Sequence, residues 1–190
     1  SLSRPSGNLL WMAGEIVGGV LEFGTVQYID IPDYDRWYHQ VVPVDIDGDG
    51  DMDFVTTNNS TTVFEDGTTK VEWYENNGLP GEVSLTHHEV ADGGGALLTV
   101  FDVDEDGDHD IILPQTQGGD SLIWMEQTGP DTPWIRHVIN GNTGRGYGIE
   151  LADMNGDGRM DLVYGNHNHQ LSTVTHESVM GIYWLSLIHI

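Results

Sequence analysis

A nine-residue acidic segment occurs three times along the chain, and the first aspartates of the copies are 57 and 51 residues apart. Each copy carries an oxygen-bearing side chain at positions 1, 3, 5 and 9 and a glycine at position 6. This pattern suits a hard cation, because Ca²⁺ takes six to eight oxygen ligands at about 2.3–2.6 Å and glycine permits a sharp turn around the ion. The copies span Asp45–Asp53, Asp102–Asp110 and Asp153–Asp161.

The pattern predicts about three Ca²⁺ ions, one in each copy. A single copy could also be a solvated Asp/Gly turn, but three copies in register favour ion binding, since close carboxylates repel by about 1 kcal/mol per pair at 4 Å even in water. Position 7 varies and is Arg in the third copy, so we expect it to contribute its backbone carbonyl. The predicted metal-binding residues are Asp45, Asp47, Asp49, Asp51 and Asp53; Asp102, Asp104, Asp106, Asp108 and Asp110; and Asp153, Asn155, Asp157, Arg159 and Asp161.

The flanking sequences exclude the commoner calcium-binding folds. An EF-hand needs a Glu at position 12 and a helix on each side, whereas position 12 here is Thr56, Leu113 or Tyr164. Short apolar runs rich in β-branched residues flank every copy, so each copy is predicted to join two strands of a hairpin. The Gly-Gly-x-Gly-x-Asp nonapeptides of a calcium β-roll do not occur.

The repeat is longer than the acidic segment. A strand centred on Trp73, Trp124 or Trp184 follows each copy, an earlier strand of this kind contains Trp11, and further apolar segments follow the Trp strands. Four strands per unit of about 50–60 residues predict an all-β fold, a partial β-propeller of four-stranded antiparallel blades. We expect about three and a half blades, at residues 1–31 (partial), 39–90, 96–139 and 147–184.

At this point the chain resembles a known family. Residues 147–165 are similar to the FG-GAP and VCBS repeats of integrin-type β-propellers, in which a Gly-containing strand, an Asp-x-Asn/Asp-Gly-Asp-Gly-x-x-Asp loop and an apolar strand follow one another. Residues 73–78, Trp-Tyr-Glu-Asn-Asn-Gly, resemble the VCBS type of bacterial surface proteins. Where the family has Ala-Pro after the turn glycine, this chain has Asn166-His167, so any role of that turn is not carried over.

The charge of the chain bears on its partners and location. The net charge is −25, with one Lys and five Arg, and the acidic segments hold 14 of the 31 acidic residues. Such a surface repels nucleic acid and anionic lipid. Calcium loops favour an extracellular, cell-surface or periplasmic location, and the absence of Cys provides no disulfide framework.

We expect the sequence to be a fragment without membrane insertion. Its most apolar stretch, residues 9–21, is too short to span a bilayer and is interrupted by Glu15. It has neither an initiator Met nor a signal peptide. Residues 185–190 depart from the repeat pattern and are expected to be a non-native tail.

A ligand site is predicted on the face opposite the acidic segments, because the loops between the second and third strands vary in length while the scaffold stays constant. The longest of these loops contains His167, His169 and His176, which could bind a transition metal or supply a catalytic base, although an exposed polar loop is the commoner outcome. Trp37, Tyr38 and Tyr147 are candidates for a carbohydrate platform.

Two function classes follow. The favoured one is a non-enzymatic calcium-binding FG-GAP/VCBS propeller module for adhesion or binding to a protein or carbohydrate ligand. The alternative is the propeller portion of a secreted carbohydrate-active enzyme, of the polysaccharide lyase or dehydratase type. No catalytic residue is assigned, because no Ser/His/Asp spacing, phosphate loop or carboxylate pair outside the acidic segments indicates catalysis.

Overall fold

The apolar runs on both sides of each acidic segment form strands. The computed structural model describes residues 9–29, 36–60, 69–79, 82–116, 120–129, 132–141, 145–167 and 181–186, and within these ranges all regular structure is β-strand. The strands are β1 (Leu10–Trp11), β2 (Gly14–Val17), β3 (Val20–Phe23), β4 (Gln27–Tyr28), β5 (Arg36–Val44), β6 (Asp53–Ser60), β7 (Thr69–Asn76), β8 (Leu85–Asp92), β9 (Thr99–Phe101), β10 (Asp110–Pro114), β11 (Asp120–Glu126), β12 (Ile135–Gly141), β13 (Arg145–Ala152), β14 (Asp161–His167) and β15 (Gly181–Ser186).

Consecutive strands pair into antiparallel sheets. Strands β5–β8 form one four-stranded sheet, β9–β12 form a second, and β13–β15 form a three-stranded sheet. In each sheet the acidic segment joins the first strand to the second. The predicted all-β architecture of propeller-type blades, a partial β-propeller, is therefore confirmed.

The register of the sheets repeats from blade to blade. Trp73 pairs with Val55, Trp124 with Ile112 and Trp184 with Val163. Each of these partners lies two residues after the last Asp of its acidic segment, so the Trp and that Asp share one face of the sheet.

Both faces of the central sheet are buried, because neighbouring sheets pack on each side. Ile111 and Leu113 contribute to a core shared with β5–β8, while Ile112 and Trp124 contribute to a core shared with β13–β15. Trp73 belongs to the first of these cores. Trp73 and Trp124 thus pack between blades as predicted, and each is only 4% exposed.

The N-terminal part departs from the repeat. Strand β1 pairs with β4, as expected for a Trp11 strand and the apolar segment after it, but β2 and β3 form a hairpin that the sequence analysis missed. Its turn is Gly18-Gly19, with φ of 60° and 86°, the left-handed conformation that two-residue hairpin loops require. The side chains of β2 and β3 are exposed.

At the other end, the predicted tail begins within a strand. Leu185 pairs with Leu162 and packs against the second core, and Ser186 pairs with Asp161. Residues 187–190 lie outside the described residues. No helix capable of crossing a membrane is found in the part of the chain that the structure describes.

The ends of the central strands remote from the acidic segments are held by close backbone contact at Pro114. A Cβ atom on Gly146 would lie 2.6 Å from Pro114 Cβ and 2.6 Å from Ser121 O, and one on Gly95 would lie 2.3 Å from Pro114 O. The Gly146 N–H also donates to Gln115 O at 2.9 Å. Glycine is therefore needed at both positions for the sheets to approach.

This contact gives a test of the interblade packing. Gly146→Ala is expected to lower the free energy of unfolding by roughly 1–3 kcal/mol, because the new methyl group meets Pro114 and backbone that must move. Gly148→Ala is the matched control, since nothing lies within 4 Å of its Cβ position. Urea unfolding of both variants measures the difference, and equal stability of the two would contradict the close contact.

Candidate metal centre

The three acidic segments, named loop 1 (45–53), loop 2 (102–110) and loop 3 (153–161), fold in the same way. In every loop the N–H of position 6 donates to the carboxylate of position 1, that of position 5 to the side-chain oxygen of position 3, and that of position 7 to the carboxylate of position 5. These bonds curl the backbone around its own side-chain oxygens. The distances from position 6 N to position 1 Oδ2 are 3.1 Å for Gly50, 3.1 Å for Gly107 and 2.9 Å for Gly158.

The curl brings the predicted ligands of positions 1, 3 and 5 together. In loop 1, oxygens of Asp45, Asp47 and Asp49 lie within 4.8 Å of one another, and the same holds for positions 1, 3 and 5 of loop 2. In loop 3, Asn155 Nδ2 donates to Asp157 Oδ2 at 2.9 Å, which joins positions 3 and 5 directly.

Left-handed backbone is required at two positions in each loop, and the sequence analysis assigned only one. Position 6 is glycine in all three copies, with φ between 88° and 103°. Position 4 also has positive φ: 73° at Gly48, 77° at Gly156 and 62° at Glu105. Glu105 is the one non-glycine residue with positive φ among the described residues, and such a conformation costs on the order of 1 kcal/mol.

Position 9 has a second role that sequence reasoning did not reveal. The Asp53 carboxylate is buried: its Oδ2 accepts from Ile46 N at 3.1 Å and Trp73 Nε1 at 3.3 Å, and its Oδ1 accepts from Asn76 N at 2.7 Å. It thus ties the start of the loop to the end of the Trp strand. The equivalent bonds run to Asp110 from Val103 N at 2.8 Å and Gln127 N at 2.9 Å, and to Asp161 from Met154 N at 2.9 Å.

The electrostatics of loops 1 and 2 disfavour uncompensated negative charge. In loop 3, burial is outweighed by hydrogen bonds such as that from Met154 N, which lower the pKa of Asp161. Burial raises the pKa of Asp110 to about 6, against the effect of hydrogen bonds from two backbone N–H groups that lower it. Burial likewise raises the pKa of Asp53, Asp47 and Asp104, and the neighbouring carboxylates raise it further. A bound cation would offset both effects, because it stabilises the ionised form of each carboxylate.

An unpartnered oxygen in loop 1 fits a cation. Asp45 Oδ1 is buried without a hydrogen-bond partner, whereas Asp45 Oδ2 accepts from Gly50 N. A buried carboxylate oxygen without a donor is costly. A metal ion among positions 1, 3 and 5 would satisfy it, so the residues of loop 1 fit the ion that the sequence predicts.

Two histidines brace the Trp strands beside loops 1 and 2. His88 stacks on Trp73, with ring centroids 4.2 Å apart, and its Nε2 lies 2.7 Å from Glu75 Oε2. The same arrangement recurs in the next blade at Trp124, His137 and Glu126, with distances of 4.4 Å and 2.6 Å. Repulsion from Glu75 and Glu126 contributes to the raised pKa values of Asp47 and Asp104, which places both glutamates near the loops.

The other predicted sites are not assembled in the described part of the chain. His169 and His176 lie outside the described residues, and only the backbone of His167, the last residue of β14, is described. Trp37 and Tyr38 are on β5, whereas Tyr147 is on β13, and β9–β12 lies between them. Tyr38 also packs against the cluster of Leu9 and Tyr74, so the three aromatic residues do not form a common platform.

Comparison with protein families bears on loops 2 and 3. Residues 102–164, from the first Asp of loop 2 to the strand after loop 3, match the family of FG-GAP-like repeats. This part of the chain is therefore similar to an FG-GAP-like repeat. The match begins at the first residue of loop 2 and ends in β14, three residues after loop 3, so it contains both loops and the strands between them.

No curated protein and no solved structure shows significant similarity to the chain.

The anchoring role of position 9 can be separated by mutation from the ligand role predicted for the loop carboxylates. In EDTA, Asp53→Asn is expected to lower the free energy of unfolding by about 2–4 kcal/mol, because an amide NH₂ must then face one of the buried donors. Asp49→Asn is the control: this exposed residue keeps the oxygen that accepts from Asp51 N, so its stability should change by no more than about 0.5 kcal/mol. Urea unfolding in EDTA measures both, and equal losses would refute the anchoring role.

Proposed function

We propose that the chain is a calcium-binding FG-GAP/VCBS module of an extracellular, cell-surface or periplasmic protein, and that it mediates adhesion or binding to a protein or carbohydrate ligand. The observation that carries the calcium assignment is the convergence of three carboxylates in each of loops 1 and 2, on a backbone curled around them. All six are oxygen donors, which hard cations prefer and zinc sites seldom use alone.

The choice of calcium over magnesium rests on loop shape. Mg²⁺ keeps several waters and demands near-ideal octahedral geometry, whereas Ca²⁺ accepts more ligands in a flexible arrangement. A continuous loop that offers positions 1, 3, 5 and 9, plus the carbonyl of position 7, supplies that larger set. Position 7 tolerates Arg159 under this scheme, because its side chain takes no part in binding.

The distribution of charge supports an oxygen-ligated cation and argues against nucleic acid as partner. Ions at three loops would neutralise part of the net charge of −25 and still leave a strongly acidic surface. Such a surface repels the phosphate backbone. FG-GAP repeats typically occur in extracellular or surface proteins, which agrees with the proposed location.

The proposed ligand face is the one opposite the ion loops. Loops 1, 2 and 3 leave the sheets at the end of the first strand, so the connections between second and third strands emerge at the other end. These connections span 61–68, 115–119 and 168–180, and their lengths differ while the sheets they join are alike. Variable loops on a constant scaffold are where binding commonly resides.

Calcium is expected to stabilise the fold. An ion bound only by the folded state contributes about 2.7 kcal/mol per site at 100 times its Kd, or roughly 8 kcal/mol for three sites, against a typical domain stability of 5–15 kcal/mol. Calorimetric scans should show a Tm that falls sharply in EDTA and recovers with CaCl₂ but not with equimolar MgCl₂. The control is a protein with Asp47→Asn, Asp104→Asn and Asp157→Asn, whose Tm should change little with EDTA or CaCl₂. If EDTA left the Tm of the unaltered chain unchanged, the calcium assignment would be overturned.

The alternative function, the propeller portion of a secreted polysaccharide lyase or dehydratase, rests on His167, His169 and His176. If they supply a base or bind a transition metal, replacing all three by Ala should reduce a polysaccharide-cleaving activity of the full-length protein by several orders of magnitude. The binding-module proposal expects no turnover before or after the replacement and unchanged calcium affinity. Depolymerisation assays, with a calcium titration of the same samples, distinguish the two.

A further inference from the structure

Gln127 touches two ion loops in different blades. It follows β11 directly and is 3% exposed. Its backbone N–H donates to Asp110 Oδ1 of loop 2 at 2.9 Å, while its side-chain Nε2 donates to Ile46 O of loop 1 at 3.1 Å. The amide orientation follows from the partner, because a carbonyl oxygen can only accept.

The residue at the same place in the preceding blade does something else. Asn76 also follows its Trp by three residues, and its N–H donates to Asp53 Oδ1 at 2.7 Å. Its side-chain oxygen, however, accepts from Gly78 N and Ser84 N at 3.2 Å each, within its own blade. Among the described residues at this place, Gln127 is thus the one that reaches an acidic loop of another blade, and its side chain is one methylene longer than that of Asn76.

The hydrogen bonds form an unbroken path between loops 1 and 2. Ile46 is position 2 of loop 1, and its N–H is held by Asp53, which is position 9 of the same loop. Gln127 joins the Ile46 carbonyl to Asp110, and the other Asp110 oxygen holds Val103 N, which is position 2 of loop 2. Each loop thus has its second and last residues fixed relative to Gln127.

We propose that Gln127 is a positioning residue that couples the two loops, so that they bind calcium cooperatively. This rests on the proposed calcium function. When one loop closes around its ion, it also orders the Gln127 side chain that contacts it. The second loop then closes without the entropic cost of ordering Gln127. The second ion consequently binds more tightly than it would to an isolated loop.

The experiment is a thermodynamic cycle on the full chain, in a background where Asp153→Asn and Asp157→Asn disable loop 3. Isothermal titration with CaCl₂ measures the affinity of loop 1 with loop 2 intact and with loop 2 disabled by Asp104→Asn and Asp106→Asn. With Gln127 present, disabling loop 2 should weaken calcium binding at loop 1 by about 5-fold, the lower end of typical coupling between sites. In the Gln127→Met protein, which keeps the length but lacks the donor, the change should fall below about 2-fold.

Two further variants serve as controls. Gln127→Asn retains an amide but is too short by one methylene, so it should also lose the coupling. Gln115→Met replaces another buried glutamine of the same blade, whose side-chain nitrogen has no hydrogen-bond partner, and it should keep the 5-fold effect.

The outcomes separate the two proposals. Calcium binding with the same coupling in the Gln127 and Gln127→Met proteins would overturn the role of Gln127 and leave the calcium assignment standing. Loss of coupling in Gln115→Met as well would assign the effect to general destabilisation and overturn it too. Absence of calcium binding by the unaltered chain would overturn the calcium function and the coupling together.

Discussion

The buried carboxylate at position 9 is the contact on which each blade depends. At Asp53 it fixes the start of the ion loop through Ile46 and the end of the Trp strand through Asn76, so three pieces of chain share one charged acceptor. Hydrogen bonds to a charged group are worth about 1.5–3 kcal/mol each, more than neutral ones. The same carboxylate is costly to bury without a positive charge, as the raised pKa of Asp110 shows. The fold is therefore stabilised by a group whose ionised form is costly to bury, and the proposed cation would offset that cost.

Trp73 links the buried carboxylate of its loop to the contact between blades. Trp73 donates to Asp53 with its indole nitrogen while its ring packs in the core shared with the next sheet. His88 covers the other side of the ring and is itself held by Glu75. A residue of amphipathic character suits this place, because one edge of it meets a carboxylate and the remainder meets aliphatic side chains. The geometry of the ion loop is transmitted to the interblade core through a single side chain.

Features that depend on residues close together in the chain could be predicted from the sequence, and features that join distant residues could not. The clustering of positions 1, 3 and 5, the turn glycine at position 6 and the strands on either side were predicted, since they follow from residues within about ten positions of each other. The Gly18-Gly19 hairpin had a local signal that the apolar run around it obscured. The need for left-handed backbone at position 4 was hidden by Glu105, which adopts it without being glycine. The bonds from Trp73 and Asn76 to Asp53, and that between Gln127 and Ile46, join residues 20 to 81 positions apart, and only the register of the folded sheets brings them together.

The two ends of a blade are held by different kinds of interaction, so they respond differently to the ions in the solution. At one end the sheets meet at Pro114, which Gly95 and Gly146 approach closely. Salt and chelators do not affect this van der Waals contact. At the other end the chain is shaped by charged groups whose mutual repulsion depends on the ions present. The end at Pro114 therefore keeps its structure when ionic conditions change, whereas the repulsion within the acidic loops changes with them. The blades thus have one edge that is sensitive to ionic conditions, while the packing at the opposite edge is independent of them.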